Sequence, residues 1–130
     1  MFKSDIMKML FTVTAALEAG TGFLLVGLPS ILISLLLGTP LNTPAGLTVA
    51  RIAGVALLAL GIACWQARSD SQSIAAKGLV SAMMIYNGAV SAILMYAGLG
   101  LELSTSVLWI VVLIHTAMFF WCLLSLIKKL

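Results

Sequence analysis

Glu18, Arg51, Asn87 and His115 are the residues that could do chemistry in an otherwise apolar chain, and each falls in a different long hydrophobic segment. A carboxyl, a guanidinium, an amide and an imidazole can pair, hold a small solute or ion, or exchange protons. Ionisable side chains in hydrocarbon cost several kcal/mol unless paired, and they normally face the interior of a helix bundle. Neighbouring positions extend the polarity. Thr14, Glu18 and Thr21 share one helical face, as do Thr48 and Arg51, while Tyr86 borders Asn87 and Thr116 borders His115. The economical reading is a Glu18–Arg51 ion pair with Asn87 and His115 supplying hydrogen bonds. Such a layer can be structural, since a buried ion pair often fixes register without performing a reaction. It can equally be a binding or transport site, a contact for a partner, or part of a redox centre.

Other chemistry finds no foothold. A single histidine with no nearby acidic or cysteine ligand makes no zinc site, and bis-histidine haem would need two copies of the chain. The sequence has no phosphate-binding glycine loop, nucleophile elbow or H-E-x-x-H motif. No metal, cofactor or catalytic residue is therefore expected. Cys64 and Cys122 form no C-x-x-C pair and read as small packing residues near the cytoplasmic ends of their helices.

The elements that must position these residues follow from composition. Of 130 residues, 62% are hydrophobic and 8% charged, too few charges to cover a water-facing surface. A spanning helix needs about 20 apolar residues, and four such segments stand out at roughly 8–27, 44–67, 74–97 and 104–127. Lys3 and Lys8 ahead of the first imitate a signal peptide, but the apolar run continues past Ala19 and reads as a spanning helix. Gly27-Leu28-Pro29 is a stop signal. Residues 30–37 are then too short to span and form either a short interfacial or re-entrant helix or a continuation of a kinked first helix. The former is preferred. Thr43-Pro44 reads as cap and first position of the second span, Gly98-Leu99-Gly100 as the end of the third, and Ser104 as the cap of the fourth. Small residues on the second and third spans, such as Ala59/Ala63/Ala67, Gly78/Ala82 and Gly88/Ala92, predict close helix contacts within the bundle or between copies.

Charge gives an orientation. Lys3, Lys8, Arg68, Lys77, Lys128 and Lys129 all flank one side of a four-span arrangement, and the opposite loops carry only Glu102. Positive residues mark the cytoplasm, so both termini are expected there, and the net charge of +3 needs no nucleic acid to explain it. At about 1.5 Å per residue, Glu18, Asn87 and His115 lie about 15–16 Å from the outer helix ends and Arg51 about 10 Å, close enough to share one layer.

The stretch from Ala50 to Arg68, with Arg51, the spaced glycines Gly54 and Gly61, and Trp65 before Arg68, resembles the second helix of small uncharacterised four-helix bacterial membrane proteins, loosely DoxX-like. That resemblance implies a bacterial inner-membrane setting and no defined activity. Small multidrug exporters share only the length and a first-helix glutamate, here Glu18. The expected fold is an all-α, up-down-up-down bundle of four transmembrane helices forming one domain. The expected function is a non-enzymatic assembly or accessory subunit, in a homo-oligomer or with a membrane-protein partner. The alternatives are a homo-oligomeric small-solute or ion carrier or pore using the polar layer, and then a membrane redox protein using haem or quinone.

Overall fold

The computed structural model describes residues 2–127, all helices and connecting turns, so Lys128 and Lys129 lie outside the described residues. Helix α1 spans Phe2–Gly27, α2 Pro29–Leu37, α3 Pro44–Ala67, α4 Ile74–Gly100 and α5 Ser106–Ile127, with a 3-10 turn at Arg68–Asp70. Four of them, all but α2, are long and apolar enough to cross a membrane.

Most helix ends follow from local chemistry. The Thr43 hydroxyl accepts from the Gly46 amide at 3.1 Å with Pro44 at the first helical position, and Ser73 caps α4 through the Ala76 amide at 3.1 Å. Two boundaries differ from the sequence reading. Thr105, not Ser104, caps α5 by accepting from the Leu108 amide at 3.0 Å, while the Ser104 hydroxyl receives the Trp109 indole N–H at 2.8 Å. Helix α4 runs through Gly98 to Gly100. Gly98 does not stop the helix but makes room in it, since a Cβ there would stand 3.0 Å from the Trp109 ring and 3.1 Å from Leu108.

Residues 29–37 form a separate helix and do not continue α1. Leu28 leaves helical geometry at φ −133° and ψ 52°, and Pro29 has no N–H with which to extend the α1 ladder. Helix α2 is tied at its far end, where the Thr105 hydroxyl donates to the Leu36 carbonyl at 2.7 Å.

The long helices associate as two antiparallel pairs. Gly22 and Gly54 bring α1 and α3 together with almost no clearance: a Cβ on either would stand 2.7–2.8 Å from the other's carbonyl oxygen. Further along, Gly61 faces Ala15 and Ala19. Helices α4 and α5 mesh through Gly88 against Phe119 and Gly98 against Leu108 and Trp109. The ridges marked by the small-residue pattern behave differently. Ala59, Ala63 and Ala82 are exposed, and a Cβ on Gly78 would meet nothing within 4 Å. The glycines of α3 that mediate packing are Gly54 and Gly61, seven residues apart and therefore on one face.

Two apolar cores result. One joins α1, α3, α4 and α5 through Met7, Phe11, Cys64, Val80, Met118 and Cys122. The other joins α4 and α5 through Leu94, Ala97, Leu108 and Val112, with Leu36 and Leu37 of α2 packed against it. Both cysteines are fully buried and unbridged. Outward-facing positions are also apolar: Val49, Ile85, Ile93 and Leu113 are each about two-thirds exposed.

Candidate functional site

Between the two cores lies a belt of polar side chains. On α4, buried Asn87 and Ser91 fall between Met83 and Leu94; on α5, His115 and Thr116 fall between Val112 and Met118. Helix α1 adds Glu18, which is 5% exposed. Successive positions on α4 supply both Tyr86 and Asn87, so this helix presents two polar groups from adjoining faces.

The belt is held by specific contacts. The Tyr86 hydroxyl donates to Glu18 Oε2 at 3.3 Å, bridging α1 to α4. His115 Nδ1 lies 2.8 Å from Asn87 Oδ1, bridging α4 to α5 and making Nδ1 the protonated ring nitrogen when the imidazole is neutral. The Asn87 amide donates back along its own helix to the Met83 carbonyl at 2.8 Å, which fixes Oδ1 toward His115. The Tyr86 and His115 rings meet edge to face with centroids 5.8 Å apart. The Ser91 and Thr116 hydroxyls close the belt at 3.2 Å.

These groups line a small cleft of about 90 Å³ walled by Glu18, Thr21, Tyr86, Asn87 and His115, with apolar residues of α1 and α5 completing it. That volume accommodates a few water molecules or a very small solute. No lysine or arginine is among its lining residues.

Arg51 is not part of this site, and the expected Glu18–Arg51 ion pair does not form. The Arg51 side chain is exposed, and its Nε donates to the Val26 carbonyl at 3.2 Å. Val26 is eight residues beyond Glu18, about 12 Å along the helix. The reason is local. The last carbonyls of α1 have no amide partners within the helix, they form the negative end of its dipole, and Pro29 cannot supply an N–H. A long cationic side chain entering from α3 satisfies the helix end and keeps its charge at that end of the helix. Thr48 joins Arg51 on an outer groove with Ile52 and Val55, its hydroxyl donated to the Pro44 carbonyl.

Of the flanking residues, Thr21 lies on the cleft wall, Thr14 is buried one turn before Glu18, and Thr116 joins Ser91. The sequence reading named Asn87 but missed Ser91. The signal was its spacing: four residues after Asn87, it continues the same buried face of α4. Among the described residues, no group of three or more metal-binding side chains occurs.

This architecture, four apolar helices with a polar belt inside, is compatible with a small multi-pass membrane protein. Comparison with protein-family models, curated proteins and solved structures finds no match.

Proposed function

We infer that the protein is a small inner-membrane carrier or channel component that exchanges protons, or a very small cation, at the Glu18 cleft. The observation that carries this reading is the convergence of a carboxyl, a phenol and an imidazole from three helices on one cavity at mid-helix depth. Chains of such groups within a span mark proton and ion pathways. The 2.8 Å Asn87–His115 contact orients the imidazole, and water in the cleft could join it to the phenol. The outward-facing Val49, Ile85, Ile93 and Leu113 suit lipid and not water. The cluster of Lys3, Lys8, Arg68 and Lys77 at one end, with Glu102 at the other, favours cytoplasmic termini.

The test is proton flux. Purified protein in liposomes carrying a potassium gradient and valinomycin should acidify or alkalinise the lumen faster than empty liposomes. Glu18→Gln should remove most of the excess rate, and Tyr86→Phe should reduce it. Equal rates for the wild type and Glu18→Gln, with both proteins folded, would reject the pathway. The second reading is an accessory subunit whose belt is structural. It is favoured by one observation: Glu18, Tyr86, Asn87 and His115 all find hydrogen-bond partners inside the protein.

A further inference from the structure

The antiparallel α1/α3 pair brings two cations together at the end of the bundle. Gly61 faces Ala15 and Ala19, so two turns further along α3 the chain comes level with the first turns of α1. There Lys8, Thr12, Arg68 and Ser69 line a groove of about 290 Å³. Lys8 is exposed and Arg68 partly buried. The guanidinium carbon of Arg68 stacks 3.2 Å from the centroid of the Trp65 ring, and its Nε donates to the Trp65 carbonyl at 3.0 Å. Those two contacts engage the ring face and Nε and fix the guanidinium on the groove wall. Neither cation forms an ion pair with a described carboxylate.

We propose that this groove binds the phosphate of an anionic phospholipid in the leaflet on that side of the membrane. The proposal rests on the membrane reading above. Two basic side chains from neighbouring helices at the positively charged end of the spans suit an anionic headgroup, and half-exposed Trp65 offers an apolar surface beside it for the start of an acyl chain. The groove does not suit a dilute free anion. The Thr12 hydroxyl donates to the Lys8 carbonyl at 2.8 Å and the Ser69 hydroxyl to the Gln66 carbonyl at 2.7 Å, so neither hydrogen is available to cradle phosphate. Binding is left to charge, which works where the bilayer supplies the ligand at high local concentration.

The experiment uses the full chain in nanodiscs of equal phosphatidylglycerol and phosphatidylcholine, with lipids retained on release read by native mass spectrometry. Wild type should retain phosphatidylglycerol in preference, and the double variant Lys8→Gln/Arg68→Gln should lose about tenfold of that preference. The charge-preserving Lys8→Arg/Arg68→Lys should keep it, and Lys77→Gln should leave it unchanged. No preference in the wild type would overturn the proposal whatever the variants do. So would displacement of the lipid by millimolar inorganic phosphate, which would identify a soluble-anion site. A chain that stays in solution without detergent would overturn the membrane reading itself, a result distinct from an inserted protein that retains both lipids equally.

Discussion

Glu18 and Arg51 show how far residue type alone leads. Their presence in spanning segments marked them as needing partners, and both have them, but each partner is a different group on a different helix. Glu18 takes the phenol of Tyr86, and Arg51 takes the end of α1. Depth counting could place the two backbones within a few ångströms of one layer. The α1/α3 seam does not keep that layer: with Gly22 set against Gly54, Arg51 comes level with the last turn of α1, about 10 Å along the helix from Glu18, and there the Val26 carbonyl takes its Nε–H. The energetic consequence is independence. Glu18→Gln and Arg51→Met should each lower thermal stability in detergent, and the double variant should show the sum to within about 0.5 kcal/mol, as for separated sites. Recovery in the double variant would restore the ion pair that the structure lacks. Asn87 and His115 should behave in the opposite way. His115→Leu leaves the Asn87 carbonyl oxygen without its partner, so the single change should cost about 1–3 kcal/mol. Adding Asn87→Leu should cost less than a second full penalty.

At the scale of elements, the hydrophobic pattern located the four long helices well, because 20 or more apolar residues leave little choice in how to satisfy the backbone. Caps were legible where a hydroxyl precedes a proline, as at Thr43, and ambiguous where two hydroxyls adjoin, as at Ser104 and Thr105. Glycine was the hardest residue to read. Gly27 sits where α1 ends, Gly98 admits the Trp109 ring, and Gly54 lets two backbones touch, yet nothing in a single chain distinguishes these uses. Of the ridge Ala59, Ala63 and Ala67, only Ala67 packs inside the chain; Ala59 and Ala63 face outward, because small-residue spacing recurs on several faces of an Ala/Gly-rich helix. Substitution separates the faces. Gly54→Leu should lower the melting temperature in detergent sharply, since even one added carbon meets the Gly22 carbonyl at 2.8 Å and overpacking typically costs about 1–3 kcal/mol. Ala63→Leu, on an exposed position, should change it little. A comparable loss from both would mean that the outer face of α3 is also packed, against a second copy or a partner.

For the whole molecule, the class of protein was legible and its task was not. Composition dictates a helical protein with an apolar exterior. The belt that suggests a task depends on rotations of α1, α4 and α5 about their axes, which average hydrophobicity does not encode. Orientation is a property of the whole and has a direct check. A reporter fused after Leu130 should be active in the cytoplasm and silent in the periplasm, and the reverse would invert the assignment of both ends. The near-zero clearance between Gly22 and Gly54 has a mechanical corollary. At that crossing no side chain lies between the backbones to repack, and Leu25, Val26 and Leu58 close in beside it, so α1 and α3 can slide there only by giving up the contact. Helices α4 and α5, meshed through aromatic rings, form a second stiff beam. Across the boundary between the beams, one end is joined by the shared core of Met7, Phe11, Val80, Met118 and Cys122 and the middle by the Tyr86–Glu18 hydrogen bond, so strain on the molecule is taken up at that middle, and the cleft widens or narrows before either beam bends.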